Sequence, residues 1–100
     1  MVDLHFEVTS SLGKKIRVSK SYWNFIITFK HPLMAGKEEL VKDALINADE
    51  VRRSLKDKDV FIYYKHQKKH IVAVVCKHLN GEGYIITTYI TDRIKIGEKA

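Results

Sequence analysis

The sequence predicts an α+β fold: two helices in the N-terminal half pack on one face of a twisted antiparallel sheet, and a β-hairpin precedes them. Three observations carry this. Apolar residues at helical spacing occur only before residue 50. Three long segments of strand composition then follow with hairpin-length connections and no helix between them, so they pair antiparallel. The chain also opens on strict alternation, Val2, Leu4, Phe6 and Val8 against Asp3, His5, Glu7 and Thr9.

That first strand turns at Ser10–Gly13, and Lys15 to Val18 returns as its partner, a hairpin over residues 2–18. Ser19 or Ser21 caps a helix with Tyr22, Phe25, Ile26 and Phe29 as its apolar stripe, ended by Pro32 and Gly36. A second helix runs from about Lys37 to Asn47. Glu38 and Glu39 sit in its first turn, where carboxylates suit the helix dipole, and Leu40, Val41, Ala44, Leu45 and Ala48 form its buried stripe. Glu50 to Ser54 reads as a short strand and Asp57–Asp59 as a turn. The three main strands are Val60 to His66, His70 to Leu79 and Tyr84 to Asp92, and Lys95 to Ala100 reads as a loose tail.

Turn placement sets the expected register. Closure around Gly81–Glu82 puts Leu79 opposite Tyr84, Val75 opposite Thr88 and Cys76 opposite Thr87. Closure around Gln67–Lys68 puts Tyr64 opposite Ile71 and Tyr63 opposite Val72. Paired residues share a face. One face is then Val60, Ile62, Tyr64, Ile71, Ala73, Val75, Ile86, Thr88 and Ile90, nearly all apolar, and is expected under the helices. The other carries Phe61, Tyr63, Lys65, Val72, Val74, Cys76, His78, Ile85, Thr87, Tyr89 and Thr91, and is expected to hold the functional groups, with Arg52 reaching it.

One hundred residues make a single domain, and 45% hydrophobic with 30% charged residues is a globular balance. The longest run without a polar residue, Ile71 to Cys76, is too short to span a bilayer, and no charged-then-apolar leader opens the chain. With a single cysteine, the expected setting is the cytoplasm, with no membrane partner. Eighteen basic against twelve acidic residues give a net charge of +6, which favours an anionic partner.

The histidines do not make a zinc motif. His70 and Cys76 lie six residues apart on one strand, about 20 Å at ~3.3 Å per residue, whereas zinc gathers its ligands in a single shell. Cys76 sits mid-strand as a small core residue, and Gly81-Glu82-Gly83 is a turn, not a phosphate loop. What remains is basic and hydroxyl-rich: His31, Arg52, Arg53, Ser54, Tyr63, Lys65, Thr87, Tyr89 and Thr91. Such residues suit metal-free RNA cleavage, in which the 2′-OH loses a proton, the leaving 5′ oxygen gains one and cations steady the phosphate. Each also has an ordinary role: Arg52 and Arg53 as solvated strand residues, His31 at a helix end, Tyr63 and Tyr89 as sheet residues.

The stretch from His31-Pro32-Leu33-Met34-Ala35-Gly36 through Ala48-Asp49-Glu50-Val51-Arg52-Arg53-Ser54, then Val60-Phe61-Ile62-Tyr63-Tyr64 and Gly83-Tyr84-Ile85-Ile86-Thr87-Thr88-Tyr89, resembles a small bacterial and phage-associated family. That family is grouped with the barnase–EndoU–colicin–RelE-like nucleases. The resemblance spans Trp23 to Glu98 and implies a nuclease domain over about residues 19–98, with helices ahead of an antiparallel sheet. It implies an endoribonuclease acting without metal or other cofactor and leaving 2′,3′-cyclic phosphate ends, as a toxin of a toxin–antitoxin pair or a mobile-element effector. Its partners would be RNA and a cognate antitoxin protein. The implied catalytic residues are His31, Arg52, Ser54, Tyr63, Thr87 and Tyr89, with Arg53, Lys65, His78 and Thr91 binding RNA. No Glu pairs with a sheet-borne His in the barnase manner, which leaves His31 as the acid/base candidate. The alternative is a non-catalytic nucleic-acid-binding or protein-interaction module of the same fold.

Overall fold

The computed structural model describes residues 3–94 and 98–99. The strands are β1 (Leu4–Thr9), β2 (Lys15–Ser19), β3 (Glu50–Arg53), β4 (Val60–Gln67), β5 (His70–His78), β6 (Glu82–Thr91) and β7 (Glu98–Lys99). They form one sheet in the order β1-β2-β6-β5-β4-β3-β7. Helix α1 (Lys20–Phe25) runs on into a π-helical turn (Ile26–Lys30), a 3-10 turn (Pro32–Met34) follows, and then α2 (Glu38–Ile46). The fold is α+β with an N-terminal hairpin, as the pattern predicts.

Strands β3 to β6 pair antiparallel. The hairpin joins them through β2, whose Lys15–Arg17 run parallel to Glu82–Tyr84, so the sheet is mixed and not purely antiparallel. Arg17 and Glu82 form an ion pair at this junction. Gly83 is required here: a Cβ would lie 2.4 Å from the Lys77 carbonyl oxygen and 3.0 Å from Ile16 Cδ1. The expected loose tail is corrected at Glu98–Lys99, which pair with Arg52–Arg53; residues 95–97 and 100 lie outside the described residues.

Ser19 caps α1, its Oγ accepting from the Tyr22 amide at 3.1 Å. The apolar stripe of this helix departs from expectation. Trp23 and Ile26 are buried, while Phe25 and Phe29 are 43% and 75% exposed. Phe25 still belongs to α1 and lies away from the buried Trp23, whereas Phe29 is turned out by the π-turn, closed by the His31 amide on the Ile26 carbonyl at 2.8 Å. A widened turn breaks the 3.6-residue period on which the stripe was counted. In α2, Val41, Ala44 and Leu45 are buried as expected, with Leu40 and Ala48 packed at the margin.

The largest correction concerns the sheet faces. The β4–β5 turn is Lys68–Lys69, Lys68 taking a φ of 53°, so Tyr63 opposes Val74 and Tyr64 opposes Ala73. This is a two-residue slide that keeps the expected faces. The last hairpin turns at Asn80-Gly81, with Gly81 at φ 79° and the Leu79 amide on the Glu82 carbonyl at 2.6 Å. This turn prevails because Gly81 supplies its left-handed residue at no steric cost. Cys76 then opposes Ile85, but Val75 opposes Thr87: a β-bulge leaves Ile86 unpaired. One extra residue inverts every later side chain. Thr88 and Ile90 turn to the face of Val74, while Thr87 and Tyr89 turn to that of Ile62 and Val75.

The helices cover the face of Tyr63, Val72, Val74, Cys76 and Ile85, the opposite of the expectation. Ile71 to Cys76 is apolar on both faces, so alternation could not choose between them. The other face carries a smaller cluster of Tyr64, Ile71 and Ala73, with Ile62, Tyr89 and Ile94 packed against it. Ile86 is half-buried at the bulge instead of pointing into the core.

This arrangement predicts that Ile85→Ala lowers the unfolding free energy by about 2–5 kcal/mol and Ile86→Ala by under about 1 kcal/mol. Urea denaturation of the two variants checks it, and the reverse order would contradict the bulge.

Candidate active site

The face away from the helices gathers polar residues in register. Arg52, Ile62, Val75 and Thr87 form one row across β3, β4, β5 and β6, and Glu50, Tyr64, Ala73 and Tyr89 form the next. A third row holds His66, Ile71 and Thr91. Each four-residue row spans three strand gaps, about 14 Å at ~4.8 Å per strand. Glu50 and Arg52 form a half-buried ion pair at the β3 end. Tyr64 is fully buried in the middle and hydrogen-bonds with Tyr89.

Beyond Tyr84, β6 has a strand on one side only among the described residues. The other side is covered by α1 and the turns after it. The His31 ring lies there, 5.5 Å from the Tyr89 ring, at a cavity of about 220 Å³ lined also by Lys30, Leu33 and Ile90. Pro32 starts the 3-10 turn and holds this bend, with His31 at φ −142°. The result is a line of polar groups across one face: Arg52 with Glu50, then Tyr64, Tyr89 and His31. Thr87 lies beside it, its Oγ1 buried without a hydrogen-bond partner among the described residues. Burial, then the charge and hydrogen bond of Tyr64, push the Tyr89 hydroxyl up to about 12, so it stays protonated near neutral pH.

Of the expected catalytic residues, His31, Arg52, Thr87 and Tyr89 belong to this line or border it. Tyr63 does not: the sheet separates it from them. Its hydroxyl donates to one of two partners, Ser10 Oγ or His78 Nε2, each at 2.9 Å. Ser54 is occupied in the β3–β4 turn, its Oγ accepting from the Lys56 and Asp57 amides at 3.2 and 3.4 Å. Thr91 shares the polar face but bonds locally to Arg93. Lys65 lies on the helix-side face and pairs with Asp49 at 3.4 Å.

His78 is buried, stacked on Phe61 at 4.0 Å. Burial, and then the positive charge of Lys14, lower its pKa to about 4, so it is neutral near pH 7. Arg53 and His78 border a second cavity of about 570 Å³ with Lys14 and Lys58, on the helix side of the sheet. Burial also pushes the Cys76 thiol up, which leaves it a core residue.

Two members of the line were missed by sequence reasoning. Glu50 stands two residues from Arg52 on one strand, a spacing that places both on one face. Tyr64 is the neighbour of Tyr63, and choosing between them required the correct face. Compared with protein-family models, curated proteins and solved structures, the chain matches none. No helix among the described residues is long and apolar enough to cross a membrane.

The state of His78 links stability to pH. Its folded pKa lies below the ordinary 6.5, so its contribution is fully present above pH 6.5 and is lost as pH falls toward 4. The loss is roughly 3 kcal/mol at 1.36 kcal/mol per unit. The carboxylates held low by hydrogen bonds, Asp49 and Asp57, act only in more acid solution. Unfolding free energies from pH 7 to 4 should therefore fall more steeply in the wild type than in His78→Gln. Equal slopes would contradict the buried neutral imidazole.

Proposed function

We propose that this chain is a small endoribonuclease that needs no metal, a remote relative of the barnase–EndoU–colicin–RelE-like nucleases. The observation that carries this reading is the line Arg52–Glu50, Tyr64, Tyr89 and His31 on the helix-free face. It combines a cation for phosphate, a hydroxyl held protonated and an imidazole, the three roles that transesterification of RNA asks for. In this mechanism His31 accepts the 2′-OH proton as the 2′ oxygen bonds to phosphorus. The bond from phosphorus to the 5′ oxygen breaks, and Tyr89 gives that oxygen a proton. The products are a 2′,3′-cyclic phosphate and a 5′-OH end. Arg52, three strands away on β3, holds a further phosphate of the same RNA strand and not the one that reacts. The net charge of +6 supports an RNA substrate, and a toxin held by an acidic antitoxin fits the same charge.

A second reading, a non-catalytic nucleic-acid-binding or protein-interaction module, is favoured by one feature: Glu50 already neutralises the Arg52 guanidinium that would hold phosphate.

Purified protein should cleave single-stranded RNA in EDTA and leave cyclic phosphate ends. Tyr89→Phe and Arg52→Gln should each slow cleavage at least tenfold, with unfolding free energies changed by about 1–2 kcal/mol through the lost hydrogen bond or ion pair. RNA bound but left intact by the wild type would select the non-catalytic module.

A further inference from the structure

We propose that the exposed aromatic face of α1 and its π-turn is a stacking platform for single-stranded RNA, leading into the polar line; it rests on the RNA reading above and names how the strand approaches. The rings of Tyr22, Phe25 and Phe29 follow one another at centroid distances of 5.8 and 5.5 Å. Phe25, Phe29 and the nearby Leu33 are 43%, 75% and 76% exposed. An apolar cluster this open on a small domain marks an interaction surface.

Charge decides what that surface takes. Residues 19–37 contain Lys20, Lys30, His31 and Lys37, and neither Asp nor Glu. Lys30 Nζ stands among the rings, 5.6 Å from the centroid of Phe25 and 5.7 Å from that of Tyr22. A protein partner covering the rings would bury this ammonium and would have to supply a carboxylate for it. A nucleic acid strand meets both needs at once, with bases against the rings and phosphates against the lysine. Base–aromatic stacking is tolerant of sequence because every base has a π-face.

The platform is also continuous with the candidate active site. Lys30 precedes His31, and both border the cavity of about 220 Å³ that Leu33 and Tyr89 share. A nucleotide stacked on Phe29 therefore lies two residues along the chain from His31. The π-turn makes this possible. Its extra residue swings Phe29 out of the buried stripe while Ile26 stays in the core.

The test uses a 2′-O-methyl RNA decamer, whose blocked 2′ oxygen prevents transesterification, so binding is read apart from cleavage. Fluorescence anisotropy at low salt should show Phe29→Ala binding roughly five- to a hundredfold more weakly than the wild type. Phe29→Trp should bind at least as well as the wild type, and an abasic decamer should bind wild type and Phe29→Ala alike. Unchanged affinity in Phe29→Ala overturns the platform, as does an abasic strand that binds the wild type as tightly as the decamer. Phe29→Ala that keeps RNA affinity but loses a protein complex assigns the face to a protein. The nuclease reading is judged separately on unmodified RNA. Ring-dependent binding without cleavage keeps the platform and removes the nuclease; cleavage with ring-independent binding does the reverse.

Discussion

The bulge at Ile86 is the constraint on which the two faces depend. A regular strand from the Asn80-Gly81 turn would carry the pairing of Cys76 with Ile85 straight through to Tyr89. It would then place Thr87 and Tyr89 against the helices and Thr88 on the open face. The extra residue reverses that assignment at the cost of one interrupted pair. The unpaired carbonyl of Ile86 is not left bare. It accepts the Tyr22 hydroxyl at 2.7 Å and lies 3.5 Å from Lys30 Nζ. A bond of this kind contributes about 0.5–1.5 kcal/mol, and leaving the carbonyl unsatisfied would cost more. The first helix is thus tied to the sixth strand at the bulge, although 64 residues separate the partners.

The two faces then carry different chemistry. On the helix side, Tyr63 is bonded with Ser10 and His78, and Thr88 Oγ1 donates to the Ala73 carbonyl at 2.8 Å, while Trp23 Nε1 is buried without a partner among the described residues. Such groups specify a packing but have no access to a substrate. On the other side, the polar residues stand in rows that end in an ion pair at β3 and a tyrosine at β6, with His31 beyond the strand. Tyr22 joins the two regions, since its ring opens the aromatic series on α1 and its hydroxyl holds the bulge. A change at Tyr22 is therefore expected to disturb both.

The order and type of elements were legible because they rest on strong local signals: strict alternation in β1, Ser19 at a cap, paired carboxylates at the start of α2. The faces were not. Ile71 to Cys76 offers apolar residues to both sides, and the bulge coincides with a long-range contact to Tyr22 that no local pattern announces. The π-turn hid Phe29 in the same way, because a 3.6-residue count assumes the turn it is meant to find. His31, Arg52, Thr87 and Tyr89 were named from residue chemistry and resemblance; register brings the last three to one face, and the bend at Pro32 sets His31 beside Tyr89. Tyr63 and His78 were named on the same grounds and lie in the core, where a hydroxyl and an imidazole satisfy each other.

Cross-strand nuclear Overhauser contacts along β5 and β6 test the central claim directly. Contacts linking Cys76 to Ile85 and Val75 to Thr87, with Ile86 facing no partner, are the expected pattern. A continuous ladder linking Val75 to Ile86 and Val74 to Thr87 would contradict it and would move Tyr89 away from Arg52, Glu50 and Tyr64.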